Sequence, residues 1–213
     1  MRKFIALTSL AAMALTACSS GDGDTIKIGF IGPLTGDAAA YGVDTFRGTQ
    51  LKIDEINAAG GINGKQIELF AEDGKCTGSD AATAAQKLIN VDKVIAIAGG
   101  QCSGETLAAS PIAEAAKVIM ISAISSSPDV TDAGAYIFRD YPSDALKTKA
   151  MAAYFTKKRY TKVAIITENT DFAVGFRNSL KEDFGGEKFV FDEVVEPGTK
   201  DFRSLVTRMK DME

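Results

Sequence analysis

Short unbroken apolar runs alternating with longer stretches of helical periodicity set the tightest limit on what this chain can fold into. Strands are predicted over residues 25–31, 66–71, 94–98 and 118–121, each too continuously apolar for a half-exposed sheet. Between them lie predicted helices over 44–58, 79–90 and 105–116. Phe46, Ile53 and Ile56 share one face of the first helix, and Gly60-Gly61 closes it. Asn63-Gly64 makes a tight turn, and Ser79 is the expected N-cap of the second helix. Apolar strands separated by helices specify a parallel sheet buried on both faces. Right-handed crossovers then give a doubly wound α/β layer.

A second series follows a break. Residues 136–139 form a short strand, and Asp140-Tyr141-Pro142-Ser143 interrupts the pattern. Helix 144–158, strand 162–167, helix 172–184, strand 188–194 and helix 201–212 come next. Two strands cannot build a substantial core of their own. The expected division is therefore a first lobe over 25–139, a crossing at 140–143, and an unfinished second lobe over 144–213, as in a fragment of a longer protein.

The amino terminus carries an address. Arg2-Lys3, an apolar run over residues 4–15 and small residues before Cys18 describe a secretory signal peptide, too short to span a bilayer as a helix. Leu15-Thr16-Ala17-Cys18 resembles a bacterial lipobox, in which the Cys18 thiol is lipidated and becomes the new N-terminus; an ordinary signal peptide with a chance cysteine is the alternative. Several acyl chains hold a protein at a membrane where one does not. Residues 1–17 are thus read as a leader and 18–24 as a small, polar tether. The expected location is extracytoplasmic, periplasm or cell surface. There Cys76 and Cys102, both just past predicted strand ends, form an even pair suited to a disulfide, with two free thiols as the alternative. Such a bridge is worth about 3 kcal/mol in the chain-entropy model.

Several chemistries drop out. A net charge of −4 and no basic stripe leave nothing to meet nucleic-acid phosphates. The basic run Lys157-Lys158-Arg159 falls at a helix end, where cations complement the dipole. The glycines after the first strand miss the dinucleotide spacing, and Gly60–Gly64 precedes a strand, unlike a phosphate loop. Gly100-Gln101-Cys102-Ser103-Gly104 has the outline of a nucleophile elbow, but the chain has no histidine to serve as base or zinc ligand. No catalytic residue, metal site or cofactor is therefore expected. A binding role suits the same loop better. Ser103-Gly104 at a helix start, and Ser125-Ser126-Ser127 after the next strand, could grip a carboxylate; serines that merely cap helices are the competing reading.

Ile31-Gly32-Pro33-Leu34-Thr35-Gly36, Tyr41-Gly42 and the block from Asp54 to Gly64 (Asp-Glu-Ile-Asn-Ala-Ala-Gly-Gly-Ile-Asn-Gly) carry a specific resemblance. With Cys76, Cys102-Ser103, Ser125-Ser126-Ser127-Pro128 and Asp201-Phe202, they make residues 25–213 similar to the branched-chain amino acid-binding proteins of ABC importers. The resemblance implies the type I periplasmic-binding fold, two α/β lobes closing over a ligand. It implies that Ser103 and Ser126 hold the ligand's carboxylate and that the Ile124 carbonyl receives its ammonium group. Tyr41 and Gln101 would line the side-chain pocket, Phe172 would cover the ligand on closure, and Cys76 would pair with Cys102. The implied partners are leucine, isoleucine, valine or a related amino acid, the permease subunits, and a membrane reached through the lipid anchor; the protein would be a monomer.

Three departures qualify the match. Phe172 stands where leucine-binding members have tyrosine, and Lys147-Thr148 replaces a more usual Gln-Gly. Family members also continue well past the position of Glu213, and that part supplies an acid for the ligand's ammonium group. Weak or absent binding by this chain is the resulting expectation, since a buried unpaired ammonium is costly. A non-transport sensing or surface lipoprotein on the same lobes is the alternative function.

Overall fold

The computed structural model describes residues 25–212. The leader, the Cys18 lipidation site and the tether lie outside them. The order is β1 (Ile26–Gly32), α1 (Ala39–Ala58), β2 (Ile67–Asp73), α2 (Gly78–Lys87), β3 (Ala96–Ala98), α3 (Ser103–Ala116), β4 (Ile119–Ser122) and β5 (Ile137–Arg139). Then come α4 (Asp144–Lys157), β6 (Val163–Glu168), α5 (Asp171–Phe184), β7 (Phe189–Val195) and α6 (Arg203–Lys210). No helix among the described residues is long and apolar enough to cross a membrane.

The first five strands form one sheet in the order β2-β1-β3-β4-β5, parallel throughout. The order reverses between β1 and β3, which places a crevice beyond their carboxyl ends. Ile31, Ile97, Met120 and Ile137 point to one face, where α2 and α3 bury them with Leu88, Ala109 and Ala113. On the other face Phe30 meets Phe46 of α1 edge-on at 5.3 Å. Ile119, Ile121 and Phe138 stay exposed there. β6 and β7 form a separate parallel pair, packed through Phe189 on a small core of Ala152, Leu180 and Phe184.

Several boundaries differ from the sequence expectation. α1 starts at Ala39, a full turn before residue 44, because Ala38-Ala39-Ala40 propagates a helix without marking an apolar face. The N-cap of α2 is Thr77, not Ser79: its hydroxyl accepts from Asp80 N at 3.2 Å and donates to Asp80 Oδ2 at 2.7 Å. β3 starts at Ala96; Val94 is buried ahead of it, after a π-helical turn over Leu88–Asp92. α6 begins at Arg203, with Asp201 capping from outside through Arg203 N.

Candidate functional site

The loops that follow β1, β3 and β4 meet at the carboxyl end of the large sheet, beside the point where strand order reverses. The disulfide Cys76–Cys102 closes one side of this region, with Cα atoms 5.3 Å apart. Asp73 shapes the first loop: its carboxylate accepts from Leu34 N at 2.8 Å and Lys75 N at 3.0 Å, and from the Thr35 hydroxyl. Partial burial opposes ionisation, but these donors hold the Asp73 carboxyl below its ordinary value.

Glu105 organises the second loop. It is fully buried in the first turn of α3, and three backbone groups donate to it at 2.9 Å: Cys76 N to Oε1, and Gln101 N and Cys102 N to Oε2. Burial pushes its carboxyl up, while the N–H groups of Cys102, Cys76 and Gln101 pull it back. The third loop is pinned by hydroxyls. Ser125 Oγ donates within reach of Gly100 O at 3.2 Å and Gln101 O at 3.1 Å, and lies 2.7 Å from Thr106 Oγ1.

Most of the residues singled out from sequence come together here. Gln101, Ser103 and Ser126 are all buried. Gln101 Oε1 accepts from Ala123 N at 3.3 Å, and Ser103 Oγ accepts from Ser127 N at 3.2 Å, so the β3 and β4 loops are stitched to each other. Ser126 Oγ donates to Asp144 Oδ2 at 2.8 Å, and its carbonyl accepts from Asp144 N at 2.8 Å. Ile124 sits half-buried in the same loop. Tyr41 lies in the first turn of α1, 68% exposed, and its hydroxyl has no hydrogen bond among the described residues. Phe172 is 48% exposed at the start of α5.

The start of α5 nevertheless lies against this cluster. A Cβ on Gly104 would come within 2.5 Å of Asp171 Oδ2, and one on Gly175 would collide with Ser127 Oγ. These two glycines let α5 approach α3 and the serine loop. Ser127 Oγ itself is buried without a hydrogen-bond partner among the described residues.

Sequence reading overlooked Glu105, Asp144 and Arg139. Arg139 donates to Ser127 O at 2.6 Å and to Thr131 Oγ1 at 2.5 Å; burial pulls its guanidinium down, and the Asp144 carboxylate opposes that. Asp144 is fully buried, with Lys147 Nζ 2.7 Å from its Oδ1. An acid three residues after Cys102, and another directly after the cap residue Ser143, were the local signals.

Hydroxyls and a helix start suit non-covalent recognition of a small anionic group. Among the described residues no group of side chains could hold a metal ion.

The chain is 33% identical over 210 residues to an amino acid binding protein of Pseudomonas aeruginosa, covering 97% of this chain and 55% of the relative. It is 35% identical over 208 residues to the leucine-, isoleucine-, valine-, threonine- and alanine-binding protein of the same organism, covering 94% and 55%. Among solved structures, it is similar to the branched-chain amino acid transporter substrate binding protein LivJ of Streptococcus pneumoniae in complex with isoleucine. That match has 39% identity and a TM-score of 0.74, over 88% of this chain and 54% of that one. The chain spans about half the length of the curated relatives it matches. All three of these relatives are named as binding proteins. The match to the Periplasmic binding protein family runs over residues 25–212, and the chain belongs to that family.

Proposed function

We propose that this chain is part of an extracytoplasmic solute receptor of an ABC importer, tethered through Cys18, which captures a branched-chain or similar amino acid for a membrane permease. Residues 25–139 form one lobe, 140–143 the crossing, and 144–213 belong to the second lobe. The reading rests chiefly on one observation: Ser103, the first residue of α3, and Ser126, in the adjoining loop after β4, are both buried beside the reversal point of the large sheet. Ser103 offers a hydroxyl and a first-turn N–H, a pairing suited to a carboxylate. Ile124 O serves the ammonium group, Gln101 and Tyr41 line the side-chain pocket, and Phe172 closes over it. The names of the relatives support an aliphatic amino acid as the ligand.

The test is calorimetric titration with L-leucine, L-isoleucine and L-valine, with 4-hydroxybenzoate as competitor because a similar solved structure contains it. Weak binding of an aliphatic amino acid is expected from this partial chain, weakened a further tenfold or more by Ser103→Ala and abolished when the ligand's carboxylate is replaced by an amide. Binding indifferent to Ser103→Ala, or restricted to the aromatic acid, overturns the assignment.

A further inference from the structure

Two strands that are not neighbours deliver the cysteines. The sheet runs β2-β1-β3, so Cys76, just past β2, and Cys102, just past β3, meet over the carboxyl end of β1. Cys76 arrives in a conformation that its own backbone resists. Lys75 and Cys76 have φ of +49° and +60°, in the left-handed region that few non-glycine residues enter. A group outside the turn must hold it there.

Glu105 is placed to do so. Its Oε1 accepts from Cys76 N and its Oε2 from Cys102 N, each at 2.9 Å, so one buried carboxylate joins both half-cystines through their main chains. Gln101 N, also 2.9 Å from Oε2, fixes the carboxylate from the second loop. Two glycines clear the room it needs. A Cβ on Gly74 would collide with Glu105 Oε1, and one on Gly100 would stand 2.5 Å from Glu105 Cβ. Neither glycine has a positive φ, so the close approach of Glu105, and not a turn, is what calls for glycine at both positions. None of these contacts involves sulfur.

We propose that Glu105 is a positioning residue for the Cys76–Cys102 bond: it holds the two cysteine backbones at pairing distance whether or not the sulfurs are joined. The bond is then remade in the folded chain by exchange with glutathione disulfide. One cysteine thiolate attacks a sulfur of glutathione disulfide and expels a glutathione thiolate. The other attacks the protein sulfur of the mixed disulfide and expels the second. Two protein thiols are oxidised, one glutathione disulfide is reduced, and the two protons pass through water to the departing thiolates. The loop that opens α3 at Ser103 thereby keeps its shape through reduction and repair. Without an acceptor for its N–H, Cys76 leaves the left-handed region, which L-residues disfavour about tenfold.

The experiment equilibrates the purified chain with glutathione redox buffers at pH 7, quenches with acid, and reads by peptide mapping the fraction of Cys76 joined to Cys102. That fraction gives the effective concentration of each cysteine for the other, and circular dichroism verifies folding with the bond open and closed. Glu105→Gln, with one carbonyl oxygen for two loops, is expected to lower the effective concentration tenfold or more. Gly74→Ala, which displaces Oε1 while Glu105 stays in the chain, should lower it comparably. Asn57→Ala separates this effect from general stability. The Asn57 side chain pairs with Ile67 N and O at 2.7 and 2.8 Å, at the opposite end of β2, so its loss should leave the effective concentration within twofold of wild type. A value within twofold of wild type in Gly74→Ala, or in a folded Glu105→Gln, overturns the proposal. So does an equal fall in Asn57→Ala, or a reduced wild-type chain that has lost its fold.

Discussion

Glu105 meets three backbone donors with two oxygens, and those donors belong to two segments that are far apart in sequence. A glutamine there has one carbonyl oxygen, so its amide group must confront at least one buried N–H. An unsatisfied buried donor costs about 1–3 kcal/mol. Glu105→Gln is therefore expected to lower unfolding free energy by about 2 kcal/mol, read from the urea midpoint. The same residue marks the limit of sequence reading. Its link to Cys102 is a local capping pattern, three residues apart and visible in the chain. Its link to Cys76 depends on β2 and β3 ending on the same side of the sheet, so no local pattern announces it. Ser103 and Ser126 were legible because hydroxyls in loops after successive parallel strands face a common crevice. That Ser126 would bind Asp144 was not, since the acid arrives from beyond β5.

At the scale of elements, α5 is held to β7 by charge. Arg177 Nε and Nη2 donate to the two Asp192 oxygens at 2.5 and 2.6 Å, and Lys181 Nζ adds a third contact. Burial opposes ionisation, but Arg177 and Lys181 hold the Asp192 carboxyl below its ordinary 3.8. A depressed folded pKa contributes stability that is complete above the unfolded value and disappears as pH falls through the folded one. Asp192→Asn should thus cost about 2 kcal/mol at pH 7. Below pH 4 the cost should shrink, so that the stability profile between pH 5 and pH 3 is flatter than wild type. Urea titrations at several pH values measure both effects. The elements themselves were readable from periodicity, apart from their ends. Alanines before α1 and the paired hydroxyls of Thr77 and Ser79 give no local preference for one starting residue over its neighbours.

The whole molecule joins a five-stranded sheet to a two-stranded one through α3, α5 and the serine loop. On the large sheet, the disulfide bridges residues 26 apart and shares its loops with Glu105. Chain entropy assigns such a bridge about 3 kcal/mol. Replacing both cysteines by serine should lower stability by about that amount, and adding reductant to the wild-type chain should reproduce the loss in the same denaturation assay. The alternation of strand and helix announced both sheets. The contacts between them were not announced, because they depend on glycines whose role appears only when another helix arrives.

β1 runs from Ile26 to Gly32, about 20 Å at roughly 3.3 Å per residue, and the chain enters it through Thr25 at the far end from the serine loops. Any leash attached upstream therefore pulls on the foot of the sheet. A molecule moored there would carry its serine loops at the end of the sheet away from the mooring.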